Sequence, residues 1–250
     1  MSLTVAVLLF LAGILSGMIN AVAGGGTFIT FGALSLVGVP PISANATSSL
    51  TQFPGYVTSA LAYWRDIRTM WREGILLAAM SAIGAFAGAL ILIALENRSF
   101  RVMVPWLLLA ATALFAAGPW LKPAAGLHRA ASPAKGAVIQ FFTAVYGGFF
   151  GAGMGVMMLA TLGLTQPGDY HRLNALKNMF SIVIAAVAIV VFVSGNVVAW
   201  LHAAAMIPGV GLGGYLGVQA ARRAPQSAIR IFVIATGLFL ALYYLLDTRP

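Results

Sequence analysis

The sequence predicts an all-α polytopic membrane protein that consists of two inverted-topology repeats. Three observations support this prediction. Of the 250 residues, 61% are hydrophobic and only 8% are charged, whereas a soluble domain carries roughly a quarter charged residues. The apolar residues form stretches near the ~20 residues that a helix needs to cross a bilayer. The second half of the chain also repeats the first at a constant offset of 129 positions, which places Gly24 on Gly153.

The apolar stretches predict ten helical segments, at about 3–22, 27–38, 43–64, 73–95, 100–117, 137–151, 155–165, 171–193, 198–220 and 228–246. We assign 1–117 to the first repeat and 137–250 to the second. Residues 118–136 are a polar linker that contains proline and glycine. Each repeat then has a glycine-broken helical pair followed by three transmembrane helices, and both repeats belong to one integral membrane domain.

Glycine interrupts the first helical pair of each repeat, at Gly24-Gly25-Gly26 and at Gly153-Met154-Gly155. A glycine in a helix interior costs about 1 kcal/mol relative to alanine, so three in a row predict a break. In a bilayer, the backbone groups that a break leaves free are tolerated only where protein, water or a ligand satisfies them. The two breaks are therefore the predicted binding site.

The basic residues decide between parallel and inverted repeats. If each broken pair returns to the side where it started, 11 of the 14 lysines and arginines fall on one side, and only Arg98, Arg101 and Arg249 on the other. If each pair crosses once, the basic residues divide evenly. The positive-inside rule favours the uneven distribution. We therefore predict inverted repeats in a bacterial inner (plasma) membrane, with both termini outside and the 118–136 linker cytoplasmic.

Several function classes do not fit this composition. The chain has no cysteine and only three histidines, which lack metal-ligand spacing. Its five acids lie in loops or at span ends, so no carboxylate is expected at mid-membrane depth. We expect no enzyme, no metal and no cofactor. The net charge of +9 lies in short loops, where membrane orientation and acidic lipid account for it without a nucleic-acid partner.

Polar residues follow each glycine break directly. Helix N-termini carry partial positive charge, and their free amides can bind an anion. Hydroxyls and amides of the third helix of each repeat can add hydrogen bonds, and Lys177 can add charge. The predicted substrate-binding residues are Asn20, Gly24, Gly25, Gly26, Thr47, Ser48, Gln52, Gly153, Gly155, Lys177 and Asn178.

Some of these residues also have a purely structural interpretation. Lys177 is either a fixed positive charge at the site or a lysine that reaches back to the cytoplasmic surface. Asn20 is either a ligand contact or one half of a helix–helix hydrogen bond. The paired glycines Gly84 and Gly88, and likewise Gly213 and Gly217, predict close helix packing.

At these residues the chain resembles the sulfite exporter TauE/SafE family. The matching stretches are 17–26 (GMINAVAGGG), 40–52 (PPISANATSSLTQ), 146–155 (YGGFFGAGMG) and 173–178 (LNALKN). The resemblance implies an exporter or permease of sulfite, organosulfonates or related small anions that is coupled to an ion. The chain differs at Asn20, where many members have aspartate, and at Ser48-Ser49, where many have Asn-Lys. The first difference bears on proton coupling and the second on the choice of substrate.

We therefore expect a secondary transporter for a small sulfur-containing anion, in which the two halves rock around a midplane site at the breaks. A transporter of another small anion or metabolite, an anion channel and a non-transporting scaffold are the alternatives. The expected partners are a small anionic substrate and membrane lipid. A coupling proton or ion, a homo-oligomer and the direction of transport are left open.

Overall fold

The computed structural model describes residues 1–62, 64–117, 132–167, 170–220 and 226–246. This part of the chain is all-helical and contains no strand. Its helices are α1 Leu3–Ala23, α2 Thr27–Leu36, α3 Pro41–Ala62, α4 Trp64–Ile93, α5 Asn97–Ala117, α6 Pro133–Phe149, α7 Met154–Thr165, α8 Tyr170–Ser194, α9 Trp200–Ala220 and α10 Gln226–Leu246. The predicted all-α class is thus confirmed, and each predicted segment corresponds to one helix.

Two helices begin four or more residues earlier than the sequence predicts. The predicted start of α4 is near residue 73, because the charged segment before it favours water over lipid. That segment can still form a helix, and α4 begins at Trp64. Helix α6 starts at Pro133, so residues 133–136 of the predicted linker are helical. Ser132 caps this helix, since its side chain accepts a hydrogen bond from the amide of Lys135. The rest of the predicted linker, up to residue 131, lies outside the described residues.

Four helical stretches in the described residues are long and apolar enough to cross a membrane. They are Leu3–Ala21, Gly74–Ile93, Asn97–Ala117 and Arg172–Ser194. The short helices α2 and α7, with 10 and 12 residues, extend ~15 and ~18 Å at 1.5 Å per residue. Each is therefore about half as long as the ~30 Å hydrocarbon core is thick.

The surface and the interior are arranged as a lipid environment requires. Large apolar side chains such as Leu11, Phe86 and Phe142 are exposed on the outer faces of α1, α4 and α6. Amides and hydroxyls such as Gln52 and Gln140 are buried between the helices. Because lipid cannot hydrogen-bond to polar side chains, burial inside the protein is where they are tolerated.

Glycine seams join helices from different halves of the chain. On α1, a Cβ atom added to Gly13 would lie 2.6 Å from the carbonyl oxygen of Met206 in α9. On α4, a Cβ atom added to Gly88 would clash with the carbonyl oxygen of Val145 in α6. Such approach of two backbones is possible only without a side chain. Gly84, Gly213 and Gly217 pack in the same way, which confirms the predicted close packing.

The helix contacts repeat with the sequence offset. A shift of 129 positions along the sequence places α1 on α6 and α4 on α9. The α1–α9 seam therefore corresponds to the α6–α4 seam. The contact of α3 with α9 corresponds in the same way to that of α8 with α4. Helices α3 and α8 touch each other, as do α5 and α10. The two halves are thus packed in equivalent ways around a common centre, which supports the duplication.

Candidate functional site

The first break separates α1 from α2 at the predicted glycines. Gly24 has φ of +75°, a left-handed conformation that favours glycine, and its amide donates to the carbonyl oxygen of Asn20 at 3.1 Å. Gly26 caps α2, and its carbonyl oxygen accepts a 2.6 Å hydrogen bond from the hydroxyl of Ser16. Ten continuous helical residues would separate Ser16 from Gly26 by ~15 Å. The chain therefore turns back on itself at this break.

The second break separates α6 from α7 in the same manner. Gly151 and Gly153 have φ of +71° and +75°. The hydroxyl oxygens of Thr143 in α6 and Thr161 in α7 lie 3.4 Å apart, although they are 18 residues apart in sequence. A continuous helix would place them ~27 Å apart. Both broken pairs are therefore helical hairpins, in which the second helix reverses the direction of the first.

The two breaks meet inside the protein. A Cβ atom added to Gly24 would lie 3.4 Å from Cα of Gly155, in ordinary van der Waals contact. The amide of Gly153 donates to the hydroxyl oxygen of Thr27 at 3.1 Å. The chain thus joins the first turn of α2 directly to the second break. Gly25 faces elsewhere, since its added Cβ would lie 2.7 Å from Val233 in α10.

Two of the predicted α3 side chains face the first hairpin. The hydroxyl oxygens of Ser48 and Thr30 lie 2.6 Å apart, and Thr30 also donates to the carbonyl oxygen of Thr27 at 3.2 Å. Gln52 donates through Nε2 to Ser16, which in turn donates to Gly26. Buried hydroxyls and amides thus form a connected polar layer between α3 and the start of α2.

Thr47 lies away from the breaks. Its hydroxyl oxygen accepts a 2.9 Å hydrogen bond from the amide of Ala199, just before α9 begins. Beside this contact is a cavity of about 260 Å³, between the loop that precedes α3 and the loop that precedes α9. Ser43, Asn196 and His202 provide its polar side chains. Thr47 therefore joins α3 to the start of α9 and does not belong to the polar layer at the breaks.

The remaining predicted side chains are all buried. Asn20 and Lys177 are each 4% exposed, and Asn178 is 2% exposed. A lysine that reaches back to the surface would keep its ammonium group in water, so the burial of Lys177 does not fit that interpretation. Lys177 and Asn178 are neighbours on α8 and therefore point ~100° apart. They face different neighbours.

Ser16 and Thr30 belong to the polar layer, but the sequence prediction missed them. Each is a single hydroxyl in an apolar stretch, and such residues are common in membrane helices. One signal was present, since Ser16, Asn20 and Gly24 are spaced by four and therefore share one face of α1. Applied one turn further back, that spacing would have included Ser16.

Sequence comparisons with known proteins identify the family of this chain. The sequence model described as sulfite exporter TauE/SafE matches residues 9–244, nearly the whole chain. The chain belongs to the sulfite exporter TauE/SafE family. The predicted resemblance is thereby confirmed, and every residue of both breaks lies inside the TauE/SafE match. The chain is accordingly a multi-pass membrane protein of a transporter family.

Curated TauE/SafE relatives cover almost the same length. A probable membrane transporter protein of Haemophilus influenzae is 28% identical over 91% of this chain and 89% of its own length. A probable membrane transporter protein of Sinorhizobium, ORF9, is 29% identical over 97% and 93%. The probable membrane transporter protein YfcA of Escherichia coli K12 is 24% identical over 96% and 90%. These relatives support transport as the general function.

Proposed function

We propose that this chain is a secondary transporter of a small sulfur-containing anion, such as sulfite or an organosulfonate, with its substrate site at the two glycine breaks. The contact between the backbones of Gly24 and Gly155 in the protein interior is the observation that carries this proposal. Transporters commonly place substrate where discontinuous helices from two repeats meet near the midplane. The buried Lys177 supplies a positive charge in the repeat that contains the second break.

We further infer that the repeats are inverted. Helix α1 runs parallel to α9, because Gly13 contacts Met206 and Gly17 contacts Val210 and Gly214. Helix α3 runs in the same direction, because Thr47 contacts Ala199 near the start of α9 and Thr58 contacts Gly214 further along it. Helices α1, α3 and α9 therefore share one direction.

Helices α4 and α6 share the opposite direction. The amide of Ile42, at the start of α3, donates to Oδ1 of Asn97, just after α4 ends. The chain thus leaves this point along α3 and returns to it along α4, so the two helices are antiparallel. Helix α6 runs parallel to α4, because Gly84 contacts Phe141 and Gly88 contacts Val145. The repeat-related helices α1 and α6 are then antiparallel, as inverted repeats require.

Counterflow into proteoliposomes tests the transport proposal. Vesicles that contain the purified protein and are preloaded with unlabelled sulfite should accumulate labelled sulfite above protein-free vesicles, with saturation. Short sulfonates should compete with this uptake. Vesicles that are inert to sulfite and to every sulfonate tested would contradict the proposal.

Two further measurements separate the alternatives. A channel should pass steady current in planar bilayers under an anion gradient, whereas the proposed transporter should not. A thermal-shift screen of the purified protein over sulfur anions, carboxylates and neutral metabolites should show stabilisation by the sulfur anions. Stabilisation by another class alone would favour a transporter of a different solute.

A further inference from the structure

The side-chain amide of Gln52 leaves one buried acceptor unused. Ser16 donates its single hydroxyl hydrogen to the carbonyl oxygen of Gly26, which can only accept. Ser16 must therefore accept from Gln52, and this requirement fixes Nε2 of Gln52 towards Ser16. Oε1 of Gln52 then points elsewhere and has no hydrogen-bond partner among the described residues, although the side chain is 0% exposed.

The repeat-related position in the second half has the same property. The offset of 129 places Gln52 on Ser181, whose Oγ is also buried and has no partner in the described part of the chain. The sequence gives the reason, because Val145 stands at the position that corresponds to Ser16. The hydroxyl that joins break and helix in the first half is thus missing from the second.

Unpaired buried polar atoms are uncommon enough to need an explanation. Leaving one costs ~1–3 kcal/mol, and most buried groups have a partner. Here two such atoms lie at equivalent positions, on α3 and on α8, two helices that contact each other. Gln52 is also joined to the first break through Ser16 and Gly26. Both atoms therefore have unused hydrogen-bonding capacity that a ligand bound between α3 and α8 could use.

The two positions differ in chemistry. On α8, Lys177 precedes Ser181 by four residues and shares its helix face, so this side offers a positive charge and a hydroxyl donor. On α3, the equivalent pair is Ser48 and Gln52. The hydroxyl of Ser48 already pairs with Thr30, which leaves the acceptor Oε1 of Gln52. One half can bind negative charge, and the other can bind a hydrogen-bond donor.

We propose that the transported anion carries a hydroxyl or amine donor in addition to its acid group, with the donor bound by Oε1 of Gln52 and the acid group by Lys177 and Ser181. This inference rests on the proposed transport of a small sulfur anion and narrows its substrate class. A carbonyl oxygen cannot pair with a fully deprotonated oxyanion oxygen, because both only accept hydrogen bonds. A substrate without a donor would leave Oε1 unpaired in the bound state.

Two sulfonates that differ by one hydroxyl test this inference. Uptake of ethanesulfonate and of 2-hydroxyethanesulfonate is measured in the same proteoliposomes, so that the amount of active protein cancels in the ratio. A buried acceptor left unpaired costs ~1–3 kcal/mol, which corresponds to roughly 5- to 150-fold. The wild-type protein should therefore prefer the hydroxylated compound at least ~5-fold in kcat/KM.

Substitution of Gln52 should abolish this preference. Gln52→Leu removes Oε1, so the ratio should fall to about 1 while ethanesulfonate is still transported. Gln52→Met, which keeps an unbranched chain, serves the same purpose if the leucine variant does not fold. Gln140→Leu is the matched control, since Gln140 is also buried and also donates to a serine, Ser81 at 2.8 Å. Its ratio should equal that of the wild type.

The outcomes separate this inference from the transport proposal. Equal transport of both sulfonates by the wild type, or a preference that survives in Gln52→Leu and Gln52→Met, would overturn the donor assignment and leave sulfur-anion transport standing. A wild type that transports neither sulfonate nor sulfite would overturn the transport proposal itself. A preference that disappears only in the Gln52 variants supports both.

Discussion

Gly24 has a backbone conformation that other residues adopt at a cost. Its φ of +75° places it in the left-handed region, where a Cβ atom costs ~1–2 kcal/mol. Gly155 has no such backbone requirement, yet an added Cβ would lie 3.1 Å from the carbonyl oxygen of Gly24. One glycine is therefore needed for the turn, and the other for the contact between the breaks.

Gly24→Ala should destabilise the protein and also impair transport, because the new methyl group adds strain and fills the contact with Gly155. Gly38→Ala is the matched control. Gly38 has φ of +86° with nothing within 4 Å of an added Cβ, and it lies outside the breaks. Both variants should melt a few degrees below the wild type, whereas only Gly24→Ala should lose sulfite counterflow. Equal transport by both variants would count against the breaks as the site.

Replacement of Lys177 tests whether its charge binds the anion. Lys177→Gln keeps a polar side chain of similar length without charge, and the loss of a charge-assisted contact of ~1.5–3 kcal/mol should lower kcat/KM for sulfite at least ~10-fold. Lys135→Gln, at the exposed start of α6, should have no effect. If initial-rate uptake is the same in both variants, the cation at the site must be another residue.

At the residue scale, the sequence predicted the glycines but not their partners. Closely spaced glycines destabilise a helix whatever surrounds them, so the breaks at Gly24 and Gly153 were predictable from propensity alone. Two hydrogen bonds depend on how three helices meet. Ser16 donates to the carbonyl oxygen of Gly26, and the amide of Gly153 donates to the hydroxyl oxygen of Thr27. Thr47 was predicted at the site but lies elsewhere. The adjacent Ser48 faces the first hairpin, whereas the hydroxyl of Thr47 binds the start of α9.

At the scale of helices, hydropathy predicts which segments are helical better than it predicts where each helix begins. Helix α4 begins about nine residues before its predicted start. The additional residues include a charged stretch that hydropathy assigns to a loop. Length and hydropathy alone also could not show that the second helix of each broken pair reverses the direction of the first. The reversal becomes visible only in contacts such as the one between Thr143 and Thr161.

Cysteine cross-linking tests the hairpin directly, because the chain has no native cysteine. The double variant Thr143→Cys with Thr161→Cys should form a disulfide under mild oxidation in membranes, since the two side-chain oxygens lie 3.4 Å apart. Ile75→Cys with Ile93→Cys is the control, with the same separation of 18 residues inside the continuous helix α4. That pair should not cross-link within one molecule. Absence of a mobility shift on gels for the threonine pair would argue against the reversal.

At the scale of the whole molecule, the predicted orientation places the start of α5 outside and the start of α6 in the cytoplasm. Ser99 and Ser132 are exposed at these two points. In intact cells, Ser99→Cys should react with a membrane-impermeant maleimide, whereas Ser132→Cys should react only after permeabilisation. The cysteine-free wild type provides the background. Labelling of both variants from the same side would contradict the crossing of α5, and labelling of Ser132→Cys alone in intact cells would contradict the predicted orientation.

The glycine seams constrain how such a molecule can move. Helix α1 is joined through Gly13 and Gly17 to α9 of the other half, and α6 is joined to α4 through Gly84 and Gly88. Separating residues 1–117 from 137–250 as two units would open both seams. A motion that keeps both seams closed would carry the first hairpin together with α9 and the second together with α4. The tightest helix contacts of the molecule therefore cross the boundary between its two sequence halves.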